Sequence, residues 1–145
     1  MNDPDNSSLP ELKIDQEKLQ EHRQIYEELL GFVPPRIQAR TELLGRLGPE
    51  FLSLQEEIRK RGMYPDVFDV KTVQLMLFGM LLLSLRDAAR IHGIAARRAG
   101  ATWEEMQAVV NLAYLYGGLS AANIGAQFIQ QIAEMEAEQE TGGEA

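Results

Sequence analysis

The 145-residue sequence contains no cysteine. Disulfide bonds, thiolate metal sites and thiol redox chemistry are therefore excluded. Histidine is also scarce: the sequence has only His22 and His92, and they lie far apart in the chain. Two distant histidines without cysteine give no recognisable metal-ligand spacing, so the sequence predicts no metal site. A phosphate-binding loop is not predicted either, because Gly117-Gly118 lacks the glycine-rich fingerprint and a preceding strand.

Basic residues are outnumbered, with 14 lysines and arginines against 22 acidic residues and a net charge of -8. A protein that neutralises phosphates needs a basic surface, so we expect no nucleic-acid partner. The longest nearly uninterrupted apolar run, Leu75–Leu83, covers about half of a membrane span. The first residues lack the basic and apolar regions of a signal peptide. We therefore expect no membrane partner and a cytoplasmic location.

Strand-like alternation is missing from the sequence, whereas apolar residues recur at helical spacing. This pattern predicts an all-α fold, a compact bundle of about six or seven helices. The polar residues 1–8 have no periodicity and predict a disordered segment. Residues 9–136 are interpreted as a single domain, whose size allows a substantial hydrophobic core. The acidic residues 137–145 predict a flexible tail.

Helix signals are clearest in the second half of the chain. Asp69 is predicted to cap a fourth helix that runs to about Leu83. This helix is apolar on almost every side, as expected for a helix buried in a bundle or an assembly. Ser84 and Asp87 have capping-box spacing, so we predict a break at Ser84 and a fifth helix beginning there. One continuous helix is the alternative.

The other helix boundaries are predicted from caps and glycines. A first helix begins after Asp15 and ends at Gly31, since glycine tolerates the left-handed conformation that often ends a helix. Thr102 precedes a glutamate at capping-box spacing and starts a sixth helix, which ends at Gly117-Gly118. Ser120 is predicted to cap the last helix.

His92 lies on the predicted fifth helix, on a face made almost wholly of alanine. With about 100° per residue, the positions within roughly 60° of its direction are Leu85, Ala88, Ala89, Ala95, Ala96 and Ala99. One interpretation is a general acid/base in a tight apolar pocket, because an imidazole titrates near neutral pH. The alternative is a core histidine hydrogen-bonded to a backbone carbonyl, and the spacing alone favours this alternative.

Gln74 is one of the few polar residues on the apolar fourth helix, so its side chain needs a hydrogen-bond partner. On one unbroken helix it would lie about 27 Å from His92. A break at Ser84 would let the two helices fold back and bring Gln74 toward the ring. The sequence leaves open whether its partner is a ligand or a carbonyl.

Other polar residues are weaker candidates. Arg86, Arg90 and Arg97 form one stripe, which lies roughly 120–160° away from His92 on the same helix. We interpret the stripe as solvated or subunit-facing, with an anion clamp for a neighbouring subunit as the alternative. Three more polar residues lie near predicted buried faces: Tyr114, Tyr116 and Asn123. A buried tyrosine is more often packed with a satisfied hydroxyl than catalytic.

Four segments carry a family pattern: Asp69-Val70-Lys71-Thr72 before an apolar helix, the run from Leu85 to His92, the run from Ala95 to Glu105, and the run from Tyr116 to Asn123. Together they resemble the carboxymuconolactone decarboxylase family. The resemblance implies an alkylhydroperoxidase D-like all-α fold. It also implies self-association, as a trimer or a hexamer with sites near the subunit interfaces.

The resemblance also bears on chemistry. Alkylhydroperoxidase D relatives reduce peroxides through a Cys-x-x-Cys pair, whose positions correspond to Leu85 and Ala88 in this sequence. Neither residue forms a thiolate, so peroxidase activity is excluded. The branch without cysteines resembles γ-carboxymuconolactone decarboxylase, which removes carbon dioxide from an unsaturated lactone acid without an organic cofactor. Gln74 stands where the family commonly has a glutamate, and a glutamine can orient a group but cannot exchange protons.

Two functions remain open at this stage. The first is a cofactor-independent lyase or isomerase of a small unsaturated carboxylic acid or lactone, with His92 as acid/base and Gln74 as an orienting group. Its substrate-binding residues would be Tyr114, Tyr116, Arg86 and Asn123. The second is a catalytically silent family member that serves as an oligomeric binding or scaffold protein. A lyase predicts an enclosed pocket that reaches His92, whereas a scaffold predicts a ring buried against alanines.

Overall fold

The computed structural model describes residues 8–143, and within this range the chain is all-α. It contains six helices and no strand: α1 (Gln16–Leu30), α2 (Pro35–Leu47), α3 (Pro49–Met63), α4 (Val70–Leu83), α5 (Ala89–Arg98) and α6 (Trp103–Gly142). The predicted fold class is confirmed. Of the predicted disordered segment 1–8, residues 1–7 lie outside the described residues, as do 144 and 145 of the predicted tail.

Three of the predicted helix starts have the expected caps. Asp15 accepts a hydrogen bond from the backbone N–H of Glu17 at 2.8 Å and begins α1. Asp69 accepts from the N–H of Thr72 at 2.7 Å and begins α4. Thr102 has a complete capping box, in which side chain and backbone of Thr102 and Glu105 bond reciprocally at 2.9 and 3.1 Å. Such caps satisfy backbone N–H groups that have no partner inside the helix.

The break between α4 and α5 is present, but the predicted capping box at Ser84 is wrong. Ser84 ends α4 instead of starting α5, and its hydroxyl donates to the carbonyl of Met80 at 3.2 Å. Leu85 follows with φ 52°, and the N–H of Arg86 bonds to the carbonyl of Leu81 at 2.9 Å. This is a Schellman ending, which usually has glycine at the left-handed position. Because leucine stands there, the sequence pattern did not indicate it.

The 40-residue α6 has a kink at Gly118, where φ is 75° and ψ is -167°. The sequence predicted a boundary at Gly117-Gly118, and the kink lies there, although the helix is assigned as one element. Residues 137–142, predicted as the start of a flexible tail, are helical. Residues 137–140 are alanine, glutamate and glutamine, whose high helix propensity continues α6 despite the acidic character on which the prediction rested.

The described residues form two compact units, divided after Met63. In the first unit, α1–α3 enclose a core of Ile14, Leu19 and Leu52, against which Leu12 and Leu44 pack. In the second unit, α4–α6 have their own buried side chains: Phe78, Leu82, Ile94, Met106 and Ile132. The sequence predicted one domain over residues 9–136, and the structure has two units within that range.

A buried polar cluster joins the three helices of the first unit. The hydroxyl of Tyr26 on α1 donates to both carboxylate oxygens of Glu56 on α3, at 2.9 and 3.1 Å. Arg40 on α2 donates Nη2 to Glu56 at 2.6 Å and to the Tyr26 hydroxyl at 3.0 Å. The guanidinium of Arg59 lies 4.0 Å from the centre of the Tyr26 ring. Burial is the largest cause that raises the pKa of Tyr26 to about 12, so the hydroxyl stays protonated.

Candidate functional site

The second unit brings Gln74 and His92 together. Gln74 lies on α4 and His92 lies on α5, and Nδ1 of the imidazole is 2.7 Å from Oε1 of the amide. The sequence suggested this pairing on the condition that the helix breaks near Ser84. Residues 84–88 make that break, and the two helices therefore lie side by side rather than end to end.

Close packing of α5 positions the imidazole. The alanine face predicted around His92 is largely buried, with Ala89, Ala95 and Ala96 having no solvent exposure. At the neighbouring Gly93, a Cβ atom would come within 2.7 Å of the Ile132 side chain. The small residues thus serve close helix approach, which fixes the backbone that carries the ring. The ring itself is only partly buried, so it is not sealed against the alanines.

The hydrogen bond sets the roles of the two ring nitrogens. With Oε1 of Gln74 as the acceptor, Nδ1 of His92 is the donor. In the neutral ring the proton then lies on Nδ1, and Nε2 is the nitrogen with the lone pair. The same hydrogen bond persists when the ring is doubly protonated, because a glutamine oxygen accepts from either form. This arrangement holds the imidazole in one orientation, and the glutamine adds no negative charge beside it.

The other end of the Gln74 amide lacks a protein partner. Gln74 is fully buried, and its Nε2 makes no hydrogen bond within the part of the chain that the structure describes. Leaving a buried donor unsatisfied costs about 1–3 kcal/mol. The second unit therefore holds one buried amide whose oxygen is used and whose nitrogen is not.

The remaining predicted site residues lie away from buried faces. Tyr114, Tyr116 and Asn123 are all exposed on α6, so the prediction that they lie near buried faces was wrong. Before the kink at Gly118, the buried face of α6 carries Met106, Val110 and Ala113 rather than the tyrosines. Arg86 is exposed in the connection between α4 and α5.

A groove of about 570 Å³ lies between α4 and α6. Its walls are mostly apolar and are formed by Leu75, Met76, Met80, Leu83, Val109 and Leu112, with Tyr116 among the lining residues. Neither His92 nor Gln74 lines it. This groove is therefore not the enclosed pocket reaching His92 that a lyase predicts.

The polar end of the groove holds an ion pair. Lys71 on α4 donates to Glu105 on α6 at 2.9 Å. The hydrogen bond from Lys71 lowers the pKa of the Glu105 carboxyl, and the same bond raises the pKa of the ammonium group. Both groups are therefore charged at neutral pH and hold the beginnings of the two helices together.

Sequence reasoning missed the role of Arg97. Its guanidinium donates two hydrogen bonds to the Glu136 carboxylate, at 2.9 and 2.8 Å, and one to the carbonyl of Ala101. It also lies 3.6 Å from the centre of the Trp103 ring. The residue is therefore a clamp between α5 and α6, not part of a solvated stripe. The single tryptophan near an arginine was the available signal, but Glu136 is 39 residues away in the chain.

No group of three or more histidine, aspartate or glutamate side chains between residues 8 and 143 is arranged to hold a metal ion. A search of the same residues finds no helix that is long and apolar enough to span a membrane.

Comparison with known proteins gives one finding. Neither the curated proteins nor the solved structures provide a match to the chain. The model of the carboxymuconolactone decarboxylase family matches residues 49–131, which include α3 to α5 and most of α6 and make up more than half of the chain. The match contains both Gln74 and His92. The chain belongs to the carboxymuconolactone decarboxylase family.

Proposed function

We propose that the protein is a cofactor-independent lyase or isomerase that acts on a small unsaturated carboxylic acid or lactone. His92 is the acid/base, and Gln74 holds the ring through Nδ1. The observation that carries the proposal is the 2.7 Å hydrogen bond between a partly buried imidazole and a fully buried amide, within the segment that matches the family. Fixing the ring in one orientation is what proton transfer at a defined carbon requires.

The reaction balances with the groups that the chain supplies. In the decarboxylation of an unsaturated lactone acid, the bond to the carboxylate carbon breaks and carbon dioxide leaves. The electron pair enters the conjugated lactone as a dienolate, and protonated His92 delivers a proton to carbon. The substrate itself delocalises the electrons, so an electron-sink cofactor is not required. Solvent exclusion and hydrogen bonds to the developing dienolate would lower the barrier.

Residues at three positions restrict the chemistry relative to other family branches. Leu85 and Ala88 stand where peroxide-reducing relatives have cysteines, and a chain without cysteine has no thiolate to attack a peroxide. Gln74 replaces a glutamate and cannot relay protons. The proposal therefore assigns the proton transfer to His92 alone. A cytoplasmic role in aromatic compound degradation is part of the same proposal.

The test is carbon dioxide release from γ-carboxymuconolactone by the purified protein. We expect turnover that falls about a hundredfold or more in His92→Ala, because general acid–base groups contribute on that scale. His22→Ala is the matched control and should keep its activity, since His22 lies in the first unit and contacts Ser53. No turnover by the wild type, or equal turnover by His92→Ala, would reject the assignment for this substrate.

A second candidate function is an oligomeric binding or scaffold protein, and the groove between α4 and α6 favours it. Large apolar side chains on these helices are at least 40% exposed: Met76, Met80, Leu112, Leu115, Tyr116 and Leu119. Monomeric proteins rarely expose contiguous apolar patches larger than a few hundred Å². A specific interface buries about 800 Å² on each partner, and it is built around apolar side chains such as these.

Self-association through this surface, as a trimer or a hexamer, is therefore also proposed, and it is compatible with either function. Sedimentation equilibrium at micromolar concentration should give a mass several times that of the chain. Leu112→Glu should lower that mass, because a charge would be buried in the interface. Gln130→Glu, an exposed position outside the groove, is the control. A monomeric wild type would reject the proposal.

A further inference from the structure

The Gln74 amide has a use beyond holding the imidazole. We infer that Gln74 is the specificity-determining residue of the site, and that its Nε2 donates a hydrogen bond to a carboxylate or carbonyl oxygen of the ligand. The inference rests on the proposed function only in placing the ligand beside His92. It names the chemical class of the ligand atom that the site accepts: an oxygen that accepts hydrogen bonds.

The polarity of the amide follows from the hydrogen bond already made. Oε1 accepts from Nδ1 of His92 at 2.7 Å, so the other end of the same planar group is the NH₂, which only donates. From covalent dimensions, Nε2 lies no more than about 5 Å from Nδ1. An oxygen bound to Nε2 would therefore lie close to the imidazole, where a proton is to be transferred.

Burial makes this donor significant. Gln74 has no solvent exposure, and Nε2 makes no hydrogen bond to any residue from 8 to 143. Buried polar groups in proteins are nearly always paired, and an unpaired one calls for an explanation. A ligand oxygen would satisfy the donor. The ring of His92, which the amide contacts, is only partly buried.

The residue type decides which ligands are favoured. A carboxylate side chain at position 74 would accept hydrogen bonds at both oxygens and would carry a negative charge. It would repel a ligand carboxylate and would leave a ligand carbonyl without a donor. Glutamine reverses both effects while it keeps the acceptor for Nδ1. The glutamine thus favours anionic and carbonyl-containing ligands at this position.

The test measures binding without turnover. Three non-reacting probes of one size are titrated into the full-length protein: cyclopentanecarboxylate, its methyl ester and cyclopentylmethylammonium. Side-chain amide resonances of Gln74, assigned in the wild type by triple-resonance experiments, are followed by ¹H–¹⁵N spectroscopy. We expect the carboxylate and the ester to shift these resonances and the ammonium probe to leave them unchanged.

Affinity provides the second measurement. Gln74→Glu should weaken carboxylate binding about tenfold or more, since a hydrogen bond to a charged group is lost and a like charge is added. Gln130→Glu makes the same charge change at an exposed position and should bind within about twofold of the wild type. The amide resonances of the wild type keep the test decisive if Gln74→Glu fails to fold.

The inference is overturned if no carboxylate binds to the wild type, if the ammonium probe shifts the amide equally, or if Gln74→Glu binds the carboxylate as the wild type does. These results are distinct from failure of the proposed function. Carboxylate binding that depends on Gln74, without carbon dioxide release from γ-carboxymuconolactone, rejects the decarboxylase and keeps the inference. Carbon dioxide release together with carboxylate binding that Gln74→Glu does not change supports the decarboxylase and rejects the inference.

Discussion

The two units of this protein each bury polar side chains, but they do so in opposite ways. In the first unit, the Glu56 carboxylate accepts from Tyr26 and Arg40, and Arg40 also donates to Gln55. In the second unit, the Gln74 amide uses only its oxygen, and its nitrogen has no partner among the described residues. The first cluster is closed in that Tyr26 and Arg40 occupy both oxygens of Glu56. Its buried donor without a partner among the described residues, Nη1 of Arg59, belongs to a cation that lies over the Tyr26 ring. The second cluster is open, because its donor without a partner belongs to the neutral amide that holds His92.

This difference in hydrogen bonding indicates that the second unit, rather than the first, can bind a ligand. A buried charge such as Glu56 is tolerated only with complementary charge and hydrogen bonds, and once these are made it has little left for a ligand. Arg59 adds its charge over the Tyr26 ring rather than a further hydrogen bond to the carboxylate. An amide with one free end is cheaper to bury than a charge, so the second unit can keep a donor for binding.

The largest expected effect is on the closed cluster. Glu56→Ala should destabilise the protein by up to about 3 kcal/mol, because it leaves the partly buried Arg40 without its anion and the buried Tyr26 hydroxyl without its acceptor. Urea denaturation gives the free energy of unfolding. Glu57→Ala, which removes an exposed carboxylate paired with Arg61, should change it by less than about 1 kcal/mol. Similar losses in the two variants would show that the cluster is not a closed structural unit.

The open cluster should respond in activity rather than in stability. Gln74→Met keeps the volume, removes the orphan donor and loses one hydrogen bond, so the free energy of unfolding should change by less than about 1.5 kcal/mol. Decarboxylation should fall about tenfold or more, because the imidazole is no longer held through Nδ1. Denaturation and carbon dioxide release are measured on the same preparation. If Gln74→Met lost much stability and kept its turnover, Gln74 would be a structural residue like Glu56, and the contrast between the two clusters would be wrong.

The units also differ in how a helix ends. Gly31 ends α1 with φ 83°, while Leu85 follows α4 with φ 52°. Gly31→Ala should therefore destabilise by about 1 kcal/mol, and Leu85→Gly should stabilise by up to about 1 kcal/mol, since only glycine adopts this conformation without strain. The melting temperatures of Gly31→Ala and Leu85→Gly, each compared with the wild type, test the two expectations. A stabilised Gly31→Ala would contradict it.

Ionisation of Tyr26 is expected to have the smallest effect on stability near neutral pH, because it takes place only at high pH. Its pKa is raised from 10.0 to about 12, chiefly by burial, so the folded state disfavours ionisation. The corresponding stability is fully present below pH 10 and is lost as the pH rises toward about 12. Absorbance at 295 nm should show a tyrosine that ionises near pH 12, and Tyr26→Phe should remove this transition. A wild-type protein whose four tyrosines all ionise near pH 10 would contradict the closed cluster.

The candidate site was predictable in its members but not in its geometry. His92 and Gln74 stand out in the sequence because each is a polar residue on an otherwise apolar face. Their contact depends on the connection at residues 84–88, where a leucine takes the position usually held by glycine. Tyr114 and Tyr116 precede the kink at Gly118 and are exposed because the face of α6 that is buried there carries Met106, Val110 and Ala113 instead.

Local chemistry explains what the sequence determined by itself. The all-α fold, the caps at Asp15, Asp69 and Thr102, and the exclusion of thiol chemistry depend on residue types and on spacings of a few positions. Only the tertiary structure decided the pairs that are distant in the chain: Tyr26 with Glu56, Gln74 with His92, and Arg97 with Glu136. Hydrogen bonds between distant residues need the helices to pack first, and packing depends on side-chain shape summed over whole faces, which no short pattern encodes.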